Sequence, residues 1–298
     1  MISKLTSWFM ALSKVLLALV VLFVAQIVCA IFLSRAGYHY KQYEGLFSFV
    51  YAATTSAFLL FLLRPTGRFT KGQRVSKDNL NGLEPFWLFV ISMGMLGVVT
   101  IYFIIVEYIA THSKTVDDAM NQYNESMDRF SEVDKVIVPN WDHILYFIAL
   151  VLLVPLAEEL IFRGAILESF KKVTNKPAAV ILSSVVFGLC HGLSVHILYA
   201  LFCGIVLGSV YCICDSIKAS YIVHAVFNLF GSALILFLES GVFDVSEDAV
   251  LSIGGSLAMM KFAAIIPAVV AFKFLIDGRK AKALAPATSV EEEGDIDE

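Results

Sequence analysis

Ionisable side chains stand within or beside long apolar stretches of this 298-residue chain. Glu158 and Glu159 lie side by side after an uncharged run, and Arg163 follows four residues after the second glutamate. His191 ends the stretch FGLCH, and His224 begins the stretch HAVFN. A charged group in an apolar segment is costly, so it is usually paired or functional. These residues are therefore the candidates for chemistry.

Helix geometry separates the two glutamates. Glu159 and Arg163 are four residues apart, so they share one helix face and can form an ion pair. Glu158 is rotated by about 100° from that face and has no partner on its own helix. An unpaired carboxylate in an apolar segment is the stronger candidate for proton transfer. We predict a structural role for the pair and a chemical role for Glu158.

The remaining polar groups complete a set that can add water to a carbonyl. His224 and Asn228 are four residues apart, so one helix face presents an imidazole and a carboxamide. Phe187 lies one turn before His191 and can pack beside its ring. A carboxylate such as Glu158 can accept a proton from water, and N–H groups can stabilise an oxyanion. The motifs G-x-S-x-G, H-E-x-x-H and G-x-G-D are absent from the sequence.

The composition shows which elements must position these groups. Hydrophobic residues make up 58% of the chain and charged residues 16%, whereas a soluble domain carries about 25% charged residues. The chain is therefore an integral membrane protein, and it is helical because backbone groups in a bilayer must be satisfied internally. We expect the five cysteines to be buried free thiols: Cys29, Cys190, Cys203, Cys212 and Cys214.

Uncharged runs predict an all-α, polytopic membrane protein with about eight transmembrane helices, each able to cross about 30 Å of hydrocarbon. The predicted spans are 15–33, 46–63, 85–106, 143–162, 177–194, 196–214, 219–238 and 256–276. Basic residues are concentrated in 64–84, 163–176 and the C-terminal region, whereas 107–142 is acidic. Because positive charge favours the cytoplasmic side, we predict that both termini are cytoplasmic and that 107–142 lies outside.

The spans suggest a division of the chain into three parts. Residues 1–142 hold N-terminal membrane helices and the acidic extracytoplasmic loop. Residues 143–238 form the candidate catalytic helical core. Residues 239–298 hold the last membrane helix and an acidic cytoplasmic tail, EEEGDIDE, whose composition is typical of disorder.

Residue counts within the core present one difficulty. Glu158 lies 17 residues before Asn175 and His191 lies 16 after it, so an antiparallel hairpin places them at the same depth. His224 does not reach that depth in a plain zigzag of straight helices. Either a helix is broken near 192–200, or a predicted span boundary is wrong.

The patterns E-E-x-x-x-R, F-x-x-x-H and H-x-x-x-N, in this order in successive apolar spans, resemble the CAAX protease and bacteriocin-processing family. That family includes the Ras-converting CAAX prenyl proteases. The resemblance implies an intramembrane endopeptidase that hydrolyses a peptide bond of a membrane-associated substrate, such as a prenylated protein. It implies that Glu158 activates water with His191, that His224 and Asn228 form the oxyanion site, and that Glu159 and Arg163 support them.

The expected partners are membrane lipid and a peptide or lipidated protein substrate, in a bacterial plasma membrane. No basic patch interleaved with aromatic residues points to nucleic acid. Glutamate-activated water favours chemistry without a cofactor, although Glu and His also ligate zinc and a zinc enzyme stays open. Two other functions stay open: a proton-coupled transporter with Glu158, His191 and His224 as a relay, and a non-catalytic membrane scaffold or bacteriocin-immunity protein.

Overall fold

A computed structural model describes residues 2–40, 42–63, 80, 82–127, 138–192 and 194–284. Every regular element in these ranges is a helix, and the helices are numbered α1 to α10 in chain order. They are α1 (Ile2–Arg35), α2 (Glu44–Leu62), α3 (Glu84–Ala110), α4 (Lys114–Met127), α5 (Asn140–Lys171), α6 (Lys176–Leu189), α7 (Ser194–Cys214), α8 (Ile217–Glu239), α9 (Glu247–Ala263) and α10 (Ile265–Leu284). The basic stretch 64–79 and the acidic tail lie outside the described residues.

Six of the described helices are long and apolar enough to cross a membrane: α1, α2, α3, α5, α7 and α8. The pair α9 and α10 is bent by 52° and adds a seventh crossing if it acts as one span. Large apolar side chains such as Phe9, Phe23 and Phe32 on α1 are exposed, as lipid-facing residues are. The chain is thus an all-α, multi-pass integral membrane protein, as predicted.

The prediction of eight full spans needs two corrections. The fifth span is the 14-residue helix α6, which at 1.5 Å per residue reaches about 21 Å, less than the hydrocarbon thickness of about 30 Å. The eighth is broken between α9 and α10. Pro267 lacks the N–H that would bond to the carbonyl of Ala263, the last residue of α9, so the helix cannot continue unbroken there. The side of the membrane on which the termini lie stays a prediction.

The long helices α5 and α8 contain π-helical turns. In α5 these turns occupy Ala149–Leu153 and Leu160–Leu167, on either side of a short α-helical stretch that contains both glutamates. In α8 the π-helical turn Leu229–Ala233 begins directly after Asn228. Such turns are wider than α-helical ones and are frequent at functional sites. The irregular turns therefore coincide with the candidate residues.

Part of the predicted acidic loop is a helix. The amphipathic α4 places Val116, Met120 and Tyr123 on one side, and Met120 is buried. The ring of Tyr123 lies 5.2 Å from that of Phe103 on α3 and 5.8 Å from that of His196 on α7. The apolar runs did not predict α4, because this helix is rich in polar residues and too short to span a membrane.

Close helix crossings hold the bundle together at small residues. A Cβ at Gly204 of α7 would lie 3.0 Å from Ser184 of α6, so this hairpin packs backbone against backbone.

A carboxylate in the first turn of α5 joins that helix to α2. The Asp142 side chain accepts hydrogen bonds from the backbone N–H groups of Gly45 (2.9 Å) and Leu46 (2.8 Å). These bonds satisfy unpaired donors in the first turn of α2 and join α2 to α5.

Helices α3 and α10 pack so closely at Gly94 that an added side chain there should lower the stability of the protein. A Cβ at Gly94 would lie 2.3 Å from the Ala268 Cβ and 2.7 Å from the Ala264 carbonyl oxygen. Gly94→Ala should therefore lower the Tm of the purified protein in detergent, because overpacking costs about 1–3 kcal/mol. The control is Gly255→Ala on α9, where an added Cβ meets nothing within 4 Å. Equal Tm values for Gly94→Ala and Gly255→Ala would contradict the close packing of α3 against α10.

Candidate active site

A buried carboxylate stands at the centre of the polar cluster. The side chain of Glu159 has 0% exposure, and its Oε1 lies 3.1 Å from Arg163 Nη1, so the ion pair that the spacing predicts is present. The same oxygen lies 2.9 Å from Nδ1 of His224 on α8. Arg163 is 1% exposed, and its Nη2 donates to the Gly204 carbonyl on α7 at 3.3 Å. One anion thus links α5, α8 and, through the guanidinium, α7.

Glu158 has different surroundings from its neighbour. Its side chain is 24% exposed, and its Oε2 lies 3.5 Å from Nε2 of His224, an ion-pair distance rather than a short hydrogen bond. It lines a cavity of about 130 Å³ together with His191, Cys190 and Tyr51. The adjacent glutamates therefore differ as the helical geometry predicts, one enclosed by partners and one open to a cavity.

His191 reaches the site from the end of α6. One ring nitrogen, Nδ1, lies 2.7 Å from the Phe187 carbonyl oxygen. A carbonyl only accepts, so Nδ1 carries the proton, and Nε2 is the acceptor of the neutral ring. The Phe187 ring packs against His191 at 4.5 Å between centroids, as the sequence predicts, and lies 6.1 Å from His224. The Arg163 guanidinium sits 5.0 Å from the centroid of the same phenyl ring.

The predicted mismatch in depth between His191 and His224 depended on where the helix before His191 ends. Helix α6 ends at Leu189, five residues before the predicted end of the span at 194. The chain then turns, with Gly192 in a left-handed conformation at φ +75°, a region that favours glycine. Of the two alternatives, the predicted boundary was wrong. His191 and His224 both approach Phe187, and the carboxylates lie beside the second imidazole.

Asn228 contacts α5 through a different partner. Its Nδ2 donates to the Leu150 carbonyl oxygen at 2.9 Å, and Leu150 belongs to the first π-helical turn of α5. An amide nitrogen carries two N–H donors, so a second one is available. His224 and Asn228 both point towards α5, which agrees with the single polar face predicted for α8.

Comparison with known proteins finds similarity in the region that carries the polar cluster. Residues 140–230 match the family model described as "Type II CAAX prenyl endopeptidase Rce1-like". The family resemblance is confirmed over these residues. UPF0177 protein YxdF of Lactococcus lactis subsp. lactis (strain IL1403) is 40% identical over 90 residues, which are 30% of this chain and 49% of that protein. The chain thus matches about half the length of this curated relative. No solved structure matches it.

Two further residues beside the cluster, Tyr51 outside the Rce1-like region and His196 within it, were not predicted from the sequence. Tyr51 of α2 lines the cavity of Glu158, and no motif marks it in the sequence. His196 of α7 packs against His191 at 4.8 Å and stacks on Tyr199 at 4.6 Å between ring centroids. An aromatic group beside each imidazole restricts its orientation. The only sequence signal for His196 is a polar ring at the start of an apolar helix.

The cysteines of the chain are all free thiols, as expected. Cys203 and Cys214 are buried, Cys29 and Cys212 are half-buried, and Cys190 is exposed. The expected burial is therefore confirmed for two of the five thiols, is only partial for Cys29 and Cys212, and is wrong for Cys190. The cause is the early end of α6, which leaves this residue on the rim of the cavity rather than within a helix packed on all sides.

Metal ligation requires several donors directed at one point. In the ranges that the structure describes, no group of three or more His, Cys, Asp or Glu side chains is arranged to hold a metal ion. His224 turns Nδ1 to Glu159 and Nε2 to Glu158, so its nitrogens face carboxylates. The described residues therefore do not assemble a complete ligand set.

The buried ion pair gives a second stability prediction. Glu159→Gln leaves Arg163 without its anion, and Arg163→Met leaves Glu159 without its guanidinium. Each should destabilise the protein by about 3–5 kcal/mol, because an uncompensated charge then stays buried. Thermal melting in detergent measures the effect. The control is Glu239→Gln at the end of α8, an exposed glutamate. A wild-type Tm for Glu159→Gln would contradict this role.

Proposed function

We propose that the protein is an intramembrane endopeptidase of the CAAX type, in which Glu158 activates the attacking water. The observation that carries the proposal is the partly open Glu158 carboxylate, which faces a cavity shared with His191 while its neighbour is fully buried. The Rce1-like match over residues 140–230 supports the reaction class. A peptidase needs a base that can reach water, and Glu158 is the carboxylate of the cluster that does so.

Glu158 and His191 act on the water from two walls of one cavity. The Glu158 carboxylate accepts a proton from the water as its oxygen attacks the scissile carbonyl carbon. His191 Nε2, an acceptor when Nδ1 donates to Phe187, takes the second hydrogen bond and orients the molecule. The carbonyl becomes a tetrahedral oxyanion. Glu158 then returns its proton to the leaving amine as the C–N bond breaks, so protons and charges balance.

The oxyanion role proposed for His224 requires the protonated form of its imidazole. A neutral imidazole whose Nδ1–H bonds to Glu159 has no proton at Nε2, whereas an imidazolium donates from both nitrogens. The carboxylates of Glu158 and Glu159 then balance the guanidinium of Arg163 and the imidazolium, and the cluster is neutral. Paired charges are the form in which ionised groups persist in an apolar interior. A protonated His224 can direct Nε2–H at a developing oxyanion.

Asn228 supplies the second donor in this proposal. The bond to the Leu150 carbonyl fixes the carboxamide and leaves one N–H for the oxyanion. Donors that are already in place cost no reorganisation when charge develops, which is why such sites accelerate acyl transfer. In this proposal the π-helical turn of α5 holds the Asn228 carboxamide through the Leu150 carbonyl while the second N–H meets the oxyanion.

The substrate is a peptide segment of a membrane-associated protein, with prenylated CAAX sequences as the first class to test. The cavity lies among α1, α2 and α5, helices that can cross a membrane, so a substrate anchored in lipid can reach it laterally. We place the enzyme in a bacterial plasma membrane, since the curated relative is bacterial.

The direct test compares wild-type protein with Glu158→Gln on a panel of prenylated CAAX peptides. The wild type should cleave, and the variant should lose about 10²–10⁴-fold in turnover, the usual contribution of a general base, with an unchanged Tm. Glu239→Gln should cleave normally. Exhaustive chelation should leave activity intact. Near-normal turnover by Glu158→Gln would refute the assignment of the base, and loss on chelation with recovery on adding zinc would show a metal enzyme.

Asn228→Ala tests the oxyanion site. Loss of one donor costs about 10²–10³-fold in rate, and it should lower kcat with little change in KM because the bond forms only in the transition state. Asn228→Asp should be at least as harmful, since a carboxylate repels an oxyanion. Asn228 also donates a hydrogen bond to the Leu150 carbonyl, so its loss can lower stability as well as rate. The Tm of each variant is therefore measured on the sample used for kinetics. A destabilised variant whose folded fraction turns over normally would contradict the proposed role.

A further inference from the structure

A second cavity lies between α1, α2 and α5, two turns of α5 beyond the catalytic glutamate. Its volume is about 60 Å³. Apolar side chains such as Leu17, Val21 and Leu62 form most of its wall, and two cations, Lys14 and Lys172, line it as well. We call it the lysine groove. We propose that it binds an anionic phospholipid, with the phosphate between the two lysines and an acyl chain along the apolar wall.

Lys14 stands at a membrane boundary. Between Lys4 and Arg35 it is the single charged residue of α1. Arg35 lies 21 residues after Lys14, which is about 32 Å along the helix at 1.5 Å per residue, close to the hydrocarbon thickness of about 30 Å. The two residues therefore mark opposite edges of the apolar layer. Lys172 follows the last residue of α5, Lys171. Both cations of the groove thus lie where lipid phosphates lie.

The two ammonium groups form an electropositive pair. Partial removal from water lowers the pKa of Lys172, the nearby Lys14 lowers it further, and Glu168 acts in the opposite direction. Glu168 is itself paired with Lys171 and accepts a hydrogen bond from Tyr211. Among the described residues, neither lysine of the groove forms an ion pair. An anion between them would relieve their repulsion.

The shape of the groove selects a lipid rather than a small anion. Ala18 and Ala165 leave room at its floor, and the leucines of α2 provide an apolar wall. The Ser169 hydroxyl already donates to the Ala165 carbonyl at 2.7 Å, so it adds no free donor for a sugar or glycerol headgroup. Basic pockets between membrane helices recognise anionic headgroups by charge. The expected preference is therefore for headgroup charge combined with an acyl chain.

A lipid bound in the lysine groove would hold α1 against the other helices of the bundle. Only 6% of the most apolar window of α1 is buried inside the protein, the smallest share among the described spans. A lipid seated between α1, α2 and α5 contacts all three helices. Because it binds the folded arrangement, it should raise thermal stability.

The test uses the purified full-length chain in detergent. Native mass spectrometry and thermal melts compare phosphatidylglycerol, phosphatidylcholine with the same acyl chains, and inorganic phosphate. Phosphatidylglycerol alone should bind stoichiometrically and raise the Tm. The double variant Lys14→Gln/Lys172→Gln should bind it about 30-fold more weakly, which corresponds to about 2 kcal/mol for two lysines beside an anionic headgroup.

Two variants control for net charge and for shape. Lys176→Gln/Lys218→Gln removes the same charge at the starts of α6 and α8, outside the groove, and should keep wild-type binding. Ala18→Phe keeps both lysines but fills the groove, and it should abolish the phosphatidylglycerol response. Equal responses to both lipids, a response that survives in both groove variants, or an equal rise with inorganic phosphate would overturn the proposal. Proteolysis of CAAX peptides is not the readout, so failure here leaves the proposed function unaffected.

Discussion

The carboxylate of Glu159, fully buried within a membrane protein, imposes the constraint on which the rest of the site depends. A bare anion in an apolar interior is unstable, so it must be met by cations and donors. Arg163 lies on the same helix and meets it directly, while His224 comes from α8. The guanidinium then extends to the backbone of α7 at Gly204. Satisfying one charge thereby sets the relative positions of three helices.

The irregular turns of α5 flank two adjacent glutamates that have different surroundings. Glu158 and Glu159 lie between two π-helical turns, which change the direction of the side chains before and after them. One carboxylate is enclosed, and the other lines the cavity. His224 contacts both through opposite ring nitrogens. The imidazole therefore couples the structural ion pair to the open carboxylate, and its orientation is restrained from two sides.

The helices outside the Rce1-like region also contribute to the cavity. Tyr51 comes from α2 and Leu22 from α1, whereas the glutamates and His191 lie within residues 140–230. On the other side, Tyr123 of α4 packs against His196, which in turn packs against His191. The matched region thus carries the polar groups, and the surrounding helices shape the space in which they act.

The sequence by itself determined the membrane class, the helical fold and the candidate polar residues, because apolar runs and i, i+4 spacings are local properties of the chain. The pairing of Glu159 with Arg163 and the packing of Phe187 on His191 followed from such spacings. Only the tertiary structure decided that His224 lies between both carboxylates. Contacts between α5 and α8 depend on helix ends, kinks and π-helical turns, which leave no periodic signal. For the same reason the sequence did not predict the early end of α6, the break before α10 or the lysine groove.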